Sequence, residues 1–175
     1  MKYLLFILLL YIFAVPANTQ SLNSLKGNVL SDEVLNSILY KTNEEKTTLR
    51  DELTELKGNI ILIDFWASWC KTCAREMEFS KELQKNFQGQ KIVFLYLSTD
   101  VDYKQWLLAL GRLNIEGKNY RVDEASKKPI KDFFKIKGIP YYVLLDKEGY
   151  IADPKASWPH LDKLKNEINA VLKLE

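Results

Sequence analysis

A chain of 175 residues is enough for one ordinary domain together with its ends. With 47% hydrophobic and 27% charged residues it can build a real core, which excludes an intrinsically disordered chain. Its 25 basic and 23 acidic side chains nearly balance, so charge gives no reason to expect nucleic acid or an anionic membrane as partner.

Lys2 precedes an unbroken apolar run, Tyr3 to Val15, which ends at Pro16 and Ala17. A positive start, an apolar stretch of roughly 7–15 residues and a small-residue exit describe a secretory signal peptide. Val15 and Ala17 fit the small-x-small pattern, so residues 1–17 are expected to be cleaved off after Ala17, with Thr19 as an alternative exit. The run is short of the roughly 20 residues of a spanning helix, which leaves a retained membrane anchor as the weaker reading. In that case the membrane would be met through this segment alone. No cysteine lies near the exit, which speaks against a lipid anchor. Cleavage removes Lys2 and leaves 24 basic (25 − 1) against 23 acidic side chains. Export would place the chain where disulfides persist, yet two cysteines are too few for a disulfide scaffold, and a domain of this size needs none. That favours chemistry for the pair.

Residues 18–36 are polar with scattered leucines and read as an N-terminal extension, in which Ser31 could cap a short helix. "SILYKTNEEKTTLRDEL" reads as a hairpin around the turn Thr42–Lys46, and Asp51–Lys57 as a short helical stretch closed by Gly58. "NIILIDFWA" is the continuous apolar run of a strand buried on both faces. A helix is expected from about Lys71 to Phe87, then a second buried strand, "KIVFLYLST", and a helix running to Gly111. "KNYRVD" is an optional short strand, and "SKKPIKDFFKI" a short helix with Pro129 in its first turn. "PYYVLLD" and "YIAD" form a hairpin around "KEG". The amphipathic "SWPHLDKLKNEINAVLKL" closes the chain, with Pro159 at its first helical position and Leu161, Leu164, Ile168, Val171 and Leu172 on one face. Strands alternating with helices and ending on an antiparallel hairpin predict an α/β fold, a mixed central sheet covered by helices on both faces.

The chain's two cysteines, Cys70 and Cys73, stand where the first buried strand gives way to a helix, in "DFWASWCKTCAREMEF". Unpaired N–H groups and the helix dipole stabilise a thiolate at Cys70, and Lys71 adds a positive charge beside it. A thiolate is both the attacking species and the good leaving group in disulfide exchange. Cys70 is therefore the expected nucleophile and Cys73 the buried partner that resolves the mixed disulfide. A zinc site would need about four ligands, and beyond the two cysteines the chain offers only the distant His160, so no metal is expected. A purely structural disulfide would close only a tiny loop, with little entropic gain.

"ILIDFWASWCKTC" followed much later by "GIPYYVLLDKEG" resembles the thioredoxin superfamily, and in detail its exported TlpA/ResA-type branch. The resemblance covers roughly residues 37–174, with a thioredoxin-like domain expected over 37–175. It implies that Pro140 is the family's cis-proline, packed beside the dithiol, where its loop exposes main chain for substrate pairing and keeps metals out. Ile139, just before it, stands where the family tunes potential and partner choice. It further implies two candidate proton acceptors for Cys73. Asp64 matches the buried acid of "DFWA", beneath the dithiol, where burial should raise its pKa. Glu76 matches a glutamate three residues after the second cysteine in ResA-like proteins, and can approach Cys73 along one helix face. Asp64 ranks first; a buried hydrogen-bonded acid and a solvated helix charge are the plain alternatives for the two.

The sequence departs from the family pattern at Lys71-Thr72, where Gly-Pro or Pro-Pro is common, and at Glu78, where a helix-kinking proline is usual. The central dipeptide tunes redox potential, so the direction of electron flow stays open, and a straighter helix is expected. Trp69 would cover the dithiol and offer a flat apolar surface to a partner, while Trp66, Trp106 and Trp158 read as wall or packing residues. His160 reads as a surface residue in the first turn of the last helix.

The resemblance thus implies a thiol–disulfide oxidoreductase of a bacterial periplasm that reduces protein disulfides, with cytochrome c maturation as one destination. It would need no cofactor and would act as a monomer. Disulfide-containing proteins and a membrane electron donor of the DsbD type are its implied partners. The rivals are a thiol peroxidase, for which a Thr-x-x-Cys with an upstream proline is missing, and a non-enzymatic binding module built around Trp69.

Overall fold

The structure, a computed structural model, describes residues 29–173. The expected signal segment and residues 18–28 of the extension lie outside them.

β3 (Ile60–Trp66) is buried along its whole length, so its apolar run needs a partner on each edge and a layer on each face. Both edges are paired. β4 (Ile92–Ser98) runs parallel to it, from Ile60 opposite Ile92 to Trp66 opposite Ser98. β6 (Tyr141–Leu145) runs antiparallel on the other side, with β7 (Ile151–Ala156) beyond it. β5 (Lys118–Val122) pairs parallel with β4 and then antiparallel with β1 (Ile38–Tyr40), which forms the N-terminal hairpin with β2 (Lys46–Thr48). The order is β2-β1-β5-β4-β3-β6-β7, the mixed sheet expected from sequence. "KNYRVD", an optional strand on sequence grounds, is the joint through which the hairpin enters the main sheet.

Six helices complete the described residues: α1 (Asp32–Leu35), α2 (Leu49–Glu55), α3 (Lys71–Asn86), α4 (Tyr103–Leu113), α5 (Glu124–Phe134) and α6 (Asp162–Leu172). Strand side chains alternate between faces, so Ile60, Leu62, Asp64 and Trp66 share one side of β3. The apolar members of that set pack with Met77 and Leu83 of α3, Trp106 of α4 and Leu164 and Ile168 of α6. Ile61, Ile63 and Phe65 point the other way, into a second core with Val34 of α1, Leu49 of α2, and Ile130 and Phe134 of α5. Leu30, within the segment read as an extension, is buried in that second core as well. Gly117, where the chain enters β5 at φ +122°, cannot be replaced without strain: a Cβ there would lie 2.8 Å from the Phe94 carbonyl oxygen.

Two prolines do not stand where helix-start preference places them. Pro129 is inside α5, not in its first turn, because Asp123 caps the helix earlier by accepting the Ala125 N–H at 3.0 Å. Pro159 lies in a turn before α6, closed by the Leu161 N–H to the Trp158 carbonyl at 2.9 Å. α6 starts only at Asp162, and Leu161, expected on its apolar face, is its uncapped N-cap residue and is exposed. Pro154 sits within β7, an edge strand, where a missing backbone donor is tolerated.

Candidate active site

Cys70 is the N-cap of α3, in extended backbone conformation, and its Sγ accepts the Cys73 N–H at 3.1 Å. The two cysteines are joined as a disulfide. Cys73 is wholly buried, one turn inside the helix, whereas Cys70 retains 7% of its surface. On reduction, the same N–H and the helix N-terminus are in place to stabilise a thiolate on Cys70. Lys71 and Thr72 form the first helical turn between the cysteines, and Trp69 beside them is largely exposed. Trp66 and Trp106 are fully buried; Trp158 is partly exposed. α3 runs unbroken through Glu78, which pairs with Lys81 at 2.8 Å.

The loop that carries Trp69 is held from beneath by Asp100, which sequence reasoning missed. Its buried carboxylate accepts the Ser68 N–H at 2.9 Å, the Ser68 hydroxyl at 2.7 Å and the Ser98 hydroxyl at 2.7 Å. The Thr99 N–H donates to the Trp66 carbonyl at 2.8 Å, which ties the end of β4 to the end of β3. Opposite this loop, the Ile139–Pro140 peptide bond is cis, and the Ile139 carbonyl oxygen lies 3.8 Å from Cys70 Sγ. Cys70 and Ile139 thus meet although β4 and β5 stand between them in sequence.

Asp64 occupies the α3 side of β3, between Tyr96 of β4 and Tyr142 of β6 in the strand register. It is buried, and neither carboxylate oxygen has a hydrogen bond of normal geometry among the described residues. Burial holds its pKa well above the usual carboxylate range, and the charge of Glu76 raises it further; interaction with the Tyr142 hydroxyl pulls the other way. Tyr142 and Tyr96 are themselves pushed up, by burial first and then by the Asp64 carboxylate. Tyr96 is anchored by Ser80 at 3.0 Å and by the Gln84 amide at 2.8 Å, both from α3.

Glu76 is no solvated helix charge: it is 1% exposed. Its carboxylate oxygens lie 3.0 and 2.9 Å from Nδ1 of His160. Which of the two groups donates in this contact depends on the tautomer of the imidazole. His160 is exposed, as expected of a surface residue, but it stands in the turn before α6 and not in the first turn of that helix. The turn before α6 aims its ring at Glu76, between Phe79 and Trp158, each with a ring centroid 5.8 Å away. Its side chain is 37% exposed, so the pair links the buried acid to solvent. His160→Ala is expected to lower stability by about 1–2 kcal/mol, less than for a fully buried pair because solvent screens the histidine. Urea unfolding of His160→Ala, Glu76→Gln and the double variant checks this; additive effects would mean that the two side chains do not interact.

A cysteine pair at the start of the helix after the central strand of a mixed sheet, facing a cis-proline loop, defines a thioredoxin-fold protein, here with that pair in the disulfide state. A family model described as thioredoxin-like matches residues 58–151, more than half of the chain, and the chain belongs to that family. Among its relatives, the thioredoxin-like protein YneN of Bacillus subtilis is 28% identical over 109 residues, 62% of this chain and 49% of YneN. The match thus spans about half the length of that relative. The thiol-disulfide oxidoreductase ResA of Oceanobacillus iheyensis is 23% identical over 168 residues, 96% of this chain and 85% of ResA. The solution structure of a Bacteroides vulgatus protein assigned as a thiol-disulfide oxidoreductase superposes with a TM-score of 0.69 at 30% identity, covering 87% of this chain and 95% of that one. Among the described residues no helix is long and apolar enough to cross a membrane.

Proposed function

We propose that the protein is a thiol–disulfide oxidoreductase acting outside the bacterial cytoplasm, where it reduces disulfides of other proteins. The placement of Cys70 carries this reading: it caps a 16-residue helix, keeps a small exposed edge that its partner Cys73 lacks, and has its sulfur beside the Ile139 carbonyl. ResA-type relatives with this name support it.

In the reduced protein, the Cys70 thiolate attacks one sulfur of a substrate disulfide. A mixed disulfide forms, and the first substrate thiolate leaves and takes up a proton. Cys73 then loses its proton to Asp64, or to Glu76, and attacks Cys70 Sγ. The Cys70–substrate bond breaks, the second substrate thiolate leaves, and the Cys70–Cys73 bond is the oxidised product. Two electrons pass from the dithiol to the substrate, and no cofactor takes part. Trp69, Ile139 and Pro140 would hold the substrate main chain against the dithiol, and Lys71 and Thr72 would tune its potential. A membrane thiol donor of the DsbD type would re-reduce the pair, the protein would work as a monomer, and apocytochrome c is one substrate consistent with the ResA likeness.

Two measurements on the wild-type chain test this. The reduced protein, mixed with a disulfide-bonded protein such as insulin, should lose its two thiols as one substrate disulfide opens; absence of exchange overturns the reading. The Cys70–Cys73 reduction potential should fall near the thioredoxin level of roughly −270 mV, whereas a value near −120 mV would make the protein an oxidant.

A further inference from the structure

Beside the dithiol, between Trp69, the cis-proline loop and α5, opens a cavity of about 530 Å³. Its floor is apolar: Ile130, Ile136 and Ile139 line it together with Phe65 and Val122. Its rim is cationic, because Lys127, Lys131 and Lys137 all border it, and no Asp or Glu does. Lys127 is held by Glu124 at 2.6 Å. Lys131 and Lys137 are exposed, and neither has an ion-pair partner among the described residues. The chain as a whole is near neutral, at +2, so this concentration of positive charge beside the reactive sulfur is local.

A nearly apolar floor with two unpaired ammonium groups on its rim is complementary to a segment that carries an apolar side chain and carboxylates. Electrostatic complementarity of this kind mainly raises the association rate and selects among partners. The groove reaches Ile139, whose carbonyl lies 3.8 Å from Cys70 Sγ, so a strand entering it passes the sulfur. We propose that this groove selects substrate proteins in which an apolar residue and one or two Asp or Glu residues stand within a few positions of the reacting cysteine. The inference rests on the exchange activity proposed above and names the substrate class of that same site.

The test uses three disulfide-linked peptides that share one apolar residue and differ only in flanking Glu, Gln or Lys. Second-order rates of their reduction by the reduced wild-type chain are measured at low and high salt. The Glu peptide should react about 3- to 10-fold faster than the Gln peptide, and the Lys peptide more slowly. In 1 M salt, where the Debye length falls to about 3 Å, the three rates should converge. Lys131→Glu/Lys137→Glu should invert the order, while a small uncharged disulfide, hydroxyethyl disulfide, reacts with variant and wild type at the same rate. Equal rates for the three peptides with wild type at low salt, or an order that survives the charge reversal, would overturn the inference and leave exchange intact. If the variant does not fold, discrimination and its salt dependence in the wild type decide. Failure to reduce hydroxyethyl disulfide and the peptides alike would overturn the exchange activity itself, and the inference with it.

Discussion

Serine at Cys73 is expected to turn the protein into a covalent trap. Cys70 would still attack a substrate disulfide, but the mixed disulfide would meet a hydroxyl where a second sulfur should displace it. Turnover should fall by several orders of magnitude, toward the roughly 10⁶-fold loss that removing an essential catalytic group can cause. A one-to-one adduct sensitive to reductant should accumulate instead, visible on a non-reducing gel. Serine at Cys70 should give neither turnover nor adduct, because the remaining thiol, Cys73, is wholly buried one turn inside α3. The asymmetry between the variants is the diagnostic: adducts forming through Cys73 in Cys70→Ser would reverse the two roles. A Cys70→Ser protein that held its partner with undiminished affinity would instead describe a binding module.

These outcomes trace back to features that local sequence expresses well. A cysteine at a strand-to-helix junction becomes an N-cap by backbone geometry alone, and period-2 alternation puts Asp64 on the same face as Leu62 and Trp66. What was not legible is non-local. Glu76 meets His160 across 84 positions, and a lone histidine just before a helix carries no mark of the carboxylate it will face. Asp100 supports Ser68 from the end of the neighbouring strand, a contact set by the β3–β4 register and not by any motif. "KNYRVD" is only an optional short strand on sequence grounds, yet its value lies in its two edges, which β4 and β1 both use. The prolines misled for a different reason: helix-start preference is a weak prior, and the Asp123 side-chain cap outweighs it at Pro129. At α6 no side chain caps the helix, so nothing in the sequence marks Leu161 as its boundary.

Asp64→Asn should make the folded protein more stable and its chemistry slower, two effects with one cause. Asp64 is buried without a hydrogen bond of normal geometry, and its carboxyl is held well above 3.8, so the folded state disfavours its ionisation. Below the unfolded-state pKa, near 3.8, the carboxyl is neutral in both states and folding pays no penalty. As pH rises above that value, the unfolded chain releases the proton while the folded chain retains it, so stability falls. The fall ends once pH passes the folded pKa. Asparagine cannot ionise, so the variant should lack this decline and gain most at neutral and alkaline pH. The roughly three pH units between an ordinary aspartate and pH 7, at 1.36 kcal/mol each, set a ceiling of about 4 kcal/mol on that gain at pH 7. Denaturant midpoints of wild type and variant, compared from pH 4 to 9, should therefore diverge as pH rises; parallel curves would mean that Asp64 is not held protonated by the fold. Only the ionised carboxylate can accept the Cys73 proton, so the same substitution removes an acceptor above the folded-state pKa, where general-base losses are about 10²-fold or more. Resolution of a preformed mixed disulfide, followed against pH, should therefore slow by about that factor in Asp64→Asn on the alkaline side of the Asp64 titration, and little below it. If it slows in Glu76→Gln instead, the proton goes to the acid that His160 connects to solvent. Because Glu76 raises Asp64 through its charge, Glu76→Gln should also bring the Asp64 titration down, while burial keeps it above the ordinary range. The two acids thus form one coupled unit under the disulfide, and it takes both single variants to assign the proton.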